Sequence, residues 1–527
     1  MLSERILSER QRNKLTQEEL ADKLGISRQS VQKWESGESY PSIDNLITLS
    51  KLFDVTLDYL CKGEVHPGPN ASRETASISP QYEALHEWES YAKSLPKEYE
   101  QCVDEGLDIE EYRDLFSAVA KMPCDVHKDR ISDVLFDITR SVGKRKDYAF
   151  DEPDEIDEIE KRLDGYAADS ACGTLAPEVL SDKIAGGWFG RICGCLLGKP
   201  VECIMKPELD VLLKSTGNYP LTRYIDKEDL PADIDGKIKF PIGSRAYPRD
   251  LGYAPSDDDT NYVLIAYEVI KRYGRNFKSE DVAKVWLSTQ VKDCYCTAER
   301  VAYINFTNGY MPPDSARYKN AYREWIGAQI RSDFYGYINP LDPATAADMA
   351  YRDARISHTK NGIYGAMWVA AMIAAAFGET DVKKIVLCGL SRIPASSRLY
   401  AAIKGVIGKY ESGMSKEDFM SDMRSRWNEE VGHNWCHTIS NAEIVAAALL
   451  YGGGNYAESI CYAVSFGFDT DCNGATVGSV LGVRDGLSRL PKQFTDRICD
   501  ALESTLFGYG KVSVTDMAKK TEEFIEK

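Results

Sequence analysis

Three adjacent aspartates, Asp257, Asp258 and Asp259, lie in the stretch "YAPSDDDTNY", between a proline and a run of apolar residues. Ser256, with Asp259 three residues later, predicts a capping box at the start of a helix that continues through residues 262–270. The capping box accounts for Ser256 and one acid, but three neighbouring carboxylates repel one another. A bound cation would remove this repulsion, and oxygen donors of this kind suit Mg²⁺.

A second acidic segment, "GFDTDCNG", carries Asp469 and Asp471 near the C-terminal end of the chain. Carboxylates from the two segments are predicted to converge on the same metal site. Two Mg²⁺ ions about 3.5–4 Å apart can together orient a water molecule and polarise a sugar hydroxyl. Joint metal binding by the two segments is therefore our first hypothesis.

Two glycine ladders with steps of four residues accompany the acidic segments. The first holds Gly186, Gly190, Gly194 and Gly198, and the second holds Gly474, Gly478 and Gly482. A glycine inside a helix costs about 1 kcal/mol relative to alanine. The ladders therefore predict helix faces on which two backbones approach closely, and the acid Glu202 follows the first of them.

Two histidines, His433 and His437 in "HNWCH", stand one helical turn apart. The zinc-protease pattern needs Glu directly after the first histidine, where this chain has Asn434. A pocket or helix-capping role fits this pair better than metal binding.

The whole chain has 527 residues, a net charge of −18 and fourteen cysteines without a CxxC pair. This length predicts two or three domains, and the acidic balance argues against non-specific adhesion to nucleic acid or membranes. The cysteine pattern indicates reduced thiols and a cytoplasmic protein. The longest uncharged apolar run, 362–378, is too short to span a bilayer and predicts a buried helix.

Helical periodicity dominates the chain, so we predict an all-α fold. The predicted domains are a five-helix head at 1–63, a linker at 64–80, a helical extension or spacer at 81–179, and a large all-α domain at 180–527. In the head, "TQEELADKLGISRQSVQKWESG" (16–37) predicts two short helices around a tight turn at Gly25. Leu20, Ala21, Val31 and Trp34 are predicted to form its core.

The head resembles the lambda-repressor-like helix-turn-helix family, and the resemblance extends through "YPSIDNLITLSKLFDVTLDYL". It implies double-stranded DNA as a partner and a homodimer bound to that DNA. It also implies that Gln17 contacts a phosphate, while Arg28, Gln29 and Lys33 reach base edges. A protein-binding head of the same shape is the alternative.

The large domain resembles the ADP-ribosylglycohydrolase family. Five separated segments occur in family order: "IAGGWFGRICGCLLGKPVE", the triple aspartate, "IGAQIRSD", "RISHTKNGIYGAMWVAAMIAAAFG" and "GFDTDCNGATVGSVLG". The resemblance implies an all-α fold with two Mg²⁺ ions in a central cleft, with Mn²⁺ as an alternative metal.

Site residues follow from this resemblance position by position. The implied metal ligands are Asp257, Asp258, Asp259, Asp469 and Asp471, with Cys472 at a further ligand position. The implied catalytic groups are Glu202, Asp258, Asp259 and Asp471, and the implied substrate contacts are Gly327, Gln329 and Arg331 at a diphosphate and His358 near a ribose. Cys472 replaces the usual hydroxyl residue, and Cys195 replaces an aspartate frequent in the first ladder. Because a thiol is a poor Mg²⁺ ligand, one coordination position is left open.

We therefore predict a magnesium-dependent hydrolase of N- or O-glycosidic ADP-ribosyl bonds, coupled to a DNA-binding head. The alternative is a transcriptional regulator whose inactive hydrolase-like domain senses ADP-ribose or a related nucleotide. A nucleoside hydrolase fits less well, because that class carries its DTD motif near the N-terminus.

Overall fold

The computed structural model describes residues 1–62, 80–166, 174–243 and 245–525. The chain divides into two compact units, Met1–Gln81 and Tyr82–Lys527. The predicted linker at 64–80 lies, except for residue 80, outside the described residues. The finer domain boundaries stay predictions.

The first unit is a five-helix head, as predicted. Its helices are α1 (Leu2–Arg12), α2 (Gln17–Leu24), α3 (Arg28–Ser36), α4 (Ile43–Phe53) and α5 (Leu57–Lys62). The four predicted core residues, Leu20, Ala21, Val31 and Trp34, are all buried. Gly25 ends α2 with φ +65°, a left-handed conformation that suits glycine. The pattern of apolar residues and turn residues is therefore sufficient to specify this unit locally.

The second unit is also helical, which confirms the all-α prediction. Its N-terminal part, here called the extension (82–166), holds α6 (Leu95–Asp104), α7 (Arg113–Ala120), α8 (Val126–Ser141) and α9 (Ile156–Glu160). The body follows with α10 (Pro177–Gly198), α11 (Lys206–Ser215), α12 (Pro248–Leu251), α13 (Asp258–Tyr273), α14 (Ser279–Thr289), α15 (Thr297–Thr307), α16 (Asp314–Arg317), α17 (Asp333–Tyr337), α18 (Pro343–Ala354), α19 (Lys360–Ala376), α20 (Val382–Leu390), α21 (Arg398–Glu411), α22 (Lys416–Arg426), α23 (Gly432–Cys436), α24 (Thr438–Tyr451), α25 (Tyr456–Val464), α26 (Thr470–Asp485), α27 (Lys492–Thr495) and α28 (Val514–Glu522).

Short 3-10 helices occupy Glu87–Glu89, Tyr91–Lys93, Glu110–Tyr112, Lys199–Val201, Lys227–Asp229, Ile234–Gly236, Lys292–Cys294, Ile326–Arg331 and Leu487–Arg489. Two of them matter for the site. Lys199–Val201 connects α10 to Glu202, and Ile326–Arg331 contains most of the "IGAQIRSD" segment.

A small ribbon, which the sequence did not predict, supports the segment before the triple aspartate. Strands β1 (Ala501–Glu503) and β2 (Lys511–Ser513) pair antiparallel, with Leu502 opposite Val512. Ala254 adds to the free edge of β1, where its N–H donates to the Ala501 carbonyl oxygen at 2.8 Å and its carbonyl oxygen accepts from Glu503 N–H at 2.8 Å. These bonds fix the chain three residues before Asp257.

The extension is joined to the body by buried ion pairs. Arg323 of the body contacts Glu98 at 2.9 Å and Glu105 at 2.5 Å, and both carboxylates belong to the extension. Arg398 of the body contacts Glu152 of the extension at 2.9 Å. All of these side chains are at least 88% buried. Because each buried charge is compensated across the junction, the extension and the body form one folded unit.

Helix α19 contains most of the predicted apolar run, and its residues are almost all buried. It is therefore an internal helix of the body. Among the described residues, no helix is both long enough and apolar enough to cross a membrane.

Candidate metal and active site

The two glycine ladders pack against each other as the antiparallel helices α10 and α26. A Cβ atom added to Gly186, Gly190 or Gly194 would lie within 3.0 Å of the carbonyl oxygen of Gly482, Gly478 or Gly474, respectively. Real Cβ atoms do not approach other atoms that closely. The predicted close approach of two backbones is therefore present.

This contact positions the second acidic segment. At the C-terminal end of α10, an added Cβ on Gly198 would overlap the backbone of Thr470 and Asp471. The Thr470 hydroxyl donates to the Gly198 carbonyl oxygen at 3.0 Å. The end of α10, which leads through Lys199–Val201 to Glu202, is thereby held against the start of α26.

The triple aspartate begins α13, but the cap differs from the predicted one. Asp257, and not Ser256, is the N-cap residue, and its carboxylate accepts from Asp259 N–H at 3.0 Å. The Asp258 carboxylate accepts from the same N–H at 2.9 Å. The predicted capping box was therefore wrong by one residue. The extended backbone of Asp257 (φ −150°, ψ 156°) has the geometry of a cap.

Two cations of the body neutralise part of this acidic cluster. Arg191 of α10 donates to the Asp259 carboxylate at 2.7 Å and to the Asp259 carbonyl oxygen at 2.7 Å, and it also contacts Asp333 at 2.6 Å. Lys199 forms an ion pair with Asp257. The Arg191 side chain is 1% exposed, so its charge is fully committed to these partners.

The two acidic segments meet at one place. Three of the four groups of side chains that have ligand atoms within 4.8 Å of one another, among the described residues, lie here: Cys195, Asp257 and Asp259; Asp258, Asp259 and Cys472; and Asp469, Asp471 and Cys472. Asp259 Oδ2 and Asp471 Oδ1 are buried and have no hydrogen-bond partner in the part of the chain that the structure describes. Unpaired buried carboxylate oxygens are costly, so these donors fit a divalent cation.

The acids of the cluster raise one another's pKa values. Burial, then Asp257 and Asp259, hold the pKa of Asp258 well above its ordinary value. Burial, then Asp471 and Glu202, do the same for the pKa of Asp469. For Asp257, burial acts upward, but the ion pair with Lys199 outweighs it and the net shift of the pKa is downward.

Glu202 is the half-buried acid beside this cluster. The charge of Asp471, then burial and then Asp257, raise its pKa to about 9. Its backbone is held by Arg245, which donates to the Glu202 carbonyl oxygen at 2.6 Å. Glu202 therefore holds its proton at neutral pH while the cluster carries no metal.

The two cysteines at motif positions are buried thiols. Burial, then Asp259 and Asp469, raise the pKa of Cys472 well above its ordinary value. Burial and then Asp257 raise the pKa of Cys195 in the same direction. Both side chains are protonated at neutral pH, and a thiol is a poor ligand for Mg²⁺.

Gly327 and Arg331 both contact the buried carboxylate of Glu299. An added Cβ on Gly327 would overlap the Glu299 carboxylate, and Arg331 donates to Glu299 at 2.7 Å. Arg331 also pairs with Asp353 and is 2% exposed. In this arrangement its charge is satisfied by protein groups, so diphosphate binding by this segment stays a prediction.

Gln329 and His358 are buried near that pair. The two polar atoms of the Gln329 amide are inaccessible to solvent and have no hydrogen-bond partner among the residues described. The His358 Nδ1 atom lies 2.8 Å from the Ser357 hydroxyl, which accepts from Arg331. Burial and then Arg331 hold the pKa of His358 well below its ordinary value, so the imidazole is neutral. Their predicted roles at the substrate stay untested.

His433 and His437 each accept a hydrogen bond at Nδ1, and together with Asp104 they also have ligand atoms within 4.8 Å of one another. His433 Nδ1 accepts from Trp325 Nε1–H at 3.1 Å, which leaves the proton on Nε2, facing Asp104 at 2.9 Å. His437 caps α24 by accepting from Ile439 N–H at Nδ1. The capping prediction is confirmed for His437.

In the head, the predicted DNA-contacting side chains fall into two environments. Arg28, Gln29 and Lys33 are exposed along α3. Gln17 is half-buried, and its amide donates to Glu35 at 2.8 Å, beside the ion pair between Glu35 and Arg10. The exposed face of α3 is thus free for a partner, while Gln17 is oriented by the head itself.

Sequence reasoning missed four charged residues of the body site: Arg191, Lys199, Asp333 and Glu299. The only signal for Arg191 was a charged residue inside an otherwise apolar, glycine-rich helix. Lys199 directly follows the last glycine of the first ladder, and it is the cationic residue closest to Glu202 in the sequence. Asp333 and Glu299 gave no signal, because their partners are distant in the sequence.

The raised pKa values predict that magnesium stabilises the protein more at high pH. Without metal, stability from these acids is fully present below their unfolded pKa, about 4–4.5, and is lost as pH rises toward the folded value of Glu202, about 9. Metal binding releases these protons, so metal affinity should fall by up to about tenfold for each unit by which the pH is lowered, for each proton released. We expect the rise in Tm caused by Mg²⁺, measured against EDTA, to be larger at pH 8.5 than at pH 6. Equal rises at both pH values would contradict the linkage.

Comparison with curated proteins finds relatives of the head. The chain is 52% identical over 50 residues to the HTH-type transcriptional activator BcrR of Enterococcus faecalis, an alignment that covers 10% of this chain and 24% of BcrR. It is 47% identical over 64 residues to the uncharacterized HTH-type transcriptional regulator YqaE of Bacillus subtilis (strain 168), covering 12% of this chain and 55% of YqaE. The chain thus spans about half or less of the length of these two relatives.

Family models match both units. Residues 6–60 match the model described as Helix-turn-helix, and residues 176–522 match the model described as ADP-ribosylglycohydrolase. A solved structure described as an "ADP-ribosylglycohydrolase-related protein complex" aligns with a TM-score of 0.41 and 16% identity, covering 66% of this chain and 100% of that chain.

Proposed function

Because the chain belongs to the ADP-ribosylglycohydrolase family, we propose that its body is a magnesium-dependent hydrolase of N- or O-glycosidic ADP-ribosyl bonds and that its helix-turn-helix head binds specific DNA. The observation that carries the first part is the convergence of both acidic segments and Glu202 on one site. Orphan oxygens of Asp259 and Asp471 lie in that site, and they are the donors that a divalent cation would use.

Each residue group of the site has a distinct task in this proposal. Asp258, Asp469 and Asp471 hold the metal, which when bound would polarise a ribose hydroxyl and orient water. Arg191 fixes Asp259, so that only its second carboxylate oxygen faces the site. Glu202, ionised once a cation lies beside it, would accept a proton from the attacking water as the glycosidic C–N or C–O bond breaks and the anomeric carbon gains oxocarbenium character. That proton would then pass to the departing nitrogen or oxygen of the acceptor.

A panel of ADP-ribosylated substrates tests the hydrolase proposal. The full-length protein is incubated with peptides modified on arginine or on serine and with modified nucleic acid, and released ADP-ribose is measured by mass spectrometry. We expect release from at least one substrate with Mg²⁺ and none with EDTA. Release that continues unchanged in EDTA would contradict metal dependence.

The second candidate is an inactive sensor of ADP-ribose, and the thiols of Cys195 and Cys472 favour it because they replace oxygen donors. A sensor binds ADP-ribose in calorimetry, cleaves no substrate of the panel, and changes its operator affinity when ADP-ribose is bound. A hydrolase releases ADP-ribose from a substrate. The two candidates therefore give opposite results in the same panel.

For the head, we propose a homodimer on a pseudo-palindromic operator with half-sites about one helical turn, ~34 Å, apart. The exposed side chains of Arg28 and Gln29 at the start of α3 support base-edge contacts, and Lys33 lies further along α3. Acids outnumber bases in the whole chain, so binding depends on these few contacts and weakens with salt.

We expect Arg28→Ala to lose about 1–3 kcal/mol of discrimination between operator and scrambled DNA. The operator is first selected from a random DNA library with the wild-type protein, and affinities are then measured by gel shift. Arg12→Ala is the matched control, because Arg12 is an exposed arginine on α1. No sequence-specific shift by the wild type at any salt concentration would end the DNA-binding proposal.

A further inference from the structure

Lys199 is a lysine built into the acidic site. It follows Gly198, which is packed against the backbone of α26, and it lies on the 3-10 turn that leads to Glu202. Its ammonium group pairs with Asp257, and its side chain is 23% exposed while that of Asp257 is 4% exposed. A positive charge is thus fixed at one edge of the cluster.

The three donor groups of the site are not equally available to a metal. In the group of Cys195, Asp257 and Asp259, Asp257 is paired with Lys199, one oxygen of Asp259 is paired with Arg191, and Cys195 offers only a thiol. Of the other two groups, one contains Asp259 and the other contains Asp471, and each of these carboxylates keeps one oxygen without a hydrogen-bond partner among the described residues. Free oxygen donors are therefore concentrated between Asp258 and Asp471.

We propose that the ammonium group of Lys199 takes the place of one divalent cation, so that the site binds one divalent ion tightly and not two. This inference rests on the metal dependence proposed above and specifies its stoichiometry. The single ion is held by Asp258, Asp469 and Asp471 together with the free oxygen of Asp259.

Charge and geometry both support one tight ion. Ions of a two-metal site lie about 3.5–4 Å apart and share carboxylates, so a second ion would need Asp257. To reach Asp257 it would have to displace an ammonium group of the same sign of charge. The Lys199 backbone is held in place, because Gly198 before it is packed against Thr470 and Asp471 and Pro200 follows it. The ammonium group could leave Asp257 only by rotation of the lysine side chain.

The test counts bound ions directly. Mn²⁺ is titrated into the metal-free full-length protein, and bound ions are counted by electron paramagnetic resonance of free Mn²⁺ and by calorimetry. We expect one tightly bound ion in the wild type and two in Lys199→Met, with the second ion bound at least tenfold more tightly than in the wild type. Lys199→Arg keeps the charge and should stay at one ion.

Lys206→Met is the matched control, because Lys206 pairs with Asp210 on α11 and not with an acid of the cluster. It should bind one ion, as the wild type does. Two equally tight ions in the wild type, or one ion in a folded Lys199→Met variant, would overturn the role of Lys199 and leave the proposed hydrolase standing. No bound ion in the wild type at any concentration would overturn the metal dependence as well.

Discussion

Glu202→Gln is expected to lower the rate of ADP-ribosyl hydrolysis by about 10²–10⁴-fold, the range for losing a general base or acid. Glutamine keeps the size of the side chain but cannot accept a proton from water. Glu202 is half-buried, and the charges of Asp471 and Asp257 raise its pKa. A cation bound by Asp471 would therefore also act on the charge of Glu202. Single-turnover release of ADP-ribose at saturating Mg²⁺ measures the effect.

Two further measurements separate lost chemistry from lost structure. Mn²⁺ stoichiometry should be unchanged in Glu202→Gln, because the ion is held by the aspartates. Glu208→Gln is the matched control: Glu208 is half-exposed on α11, and its carboxylate accepts only from Lys239 N–H, at 3.1 Å. If Glu202→Gln cleaves every substrate of the panel at the wild-type rate, Glu202 is neither the acid nor the base.

Gly194→Ala should destabilise the large unit by at least about 3 kcal/mol, at or beyond the upper end of typical overpacking costs. The added methyl group would overlap the carbonyl oxygen and carbon of Gly474. These are backbone atoms and cannot rotate away, so α10 and α26 would have to separate. Thermal and denaturant unfolding measure the loss, and metal binding should weaken in parallel because α26 carries Asp471.

Gly408→Ala is a control of opposite expected sign. Gly408 lies in α21, and beyond its own helix backbone an added Cβ would meet no atom of the described residues within 4 Å. Alanine is the better helix former, so the free energy of unfolding of this variant should rise by up to about 1 kcal/mol. If both variants changed stability by the same amount, the glycines of the ladder would be dispensable for helix packing.

The sequence predicted features that local chemistry determines. Glycines at steps of four residues are unfavourable in an isolated helix, and this cost predicted helix faces on which backbones approach closely. That the two ladders face each other is known only from the structure. The head followed from apolar spacing and from the turn at Gly25. The adjacent acids at 257–259 indicated a cation site for the same reason, because a cost without a local explanation points to a partner elsewhere.

Features that depend on distant partners could not be predicted. The pairing of Arg191 with Asp259 joins positions 68 residues apart, and that with Asp333 joins positions 142 apart. No periodicity reports such contacts. Arg331 looked like a ligand-binding arginine, but its surroundings include Glu299 and Asp353, which only the fold brings near. The capping position moved by one residue, because Asp257 can cap α13 as well as Ser256 could.

The ion pairs between the extension and the body bear on the stability of a truncated protein. The family match begins at residue 176, and a truncation there would remove Glu98, Glu105 and Glu152 while Arg323 and Arg398 stayed behind. Arg323 would lose both of its carboxylate partners and Arg398 would keep only Glu324, and the surface that the extension covers would be exposed to water. We expect such a fragment to be less stable than the whole unit. The segment that the family model matches is thus shorter than the folded unit, which begins at Tyr82.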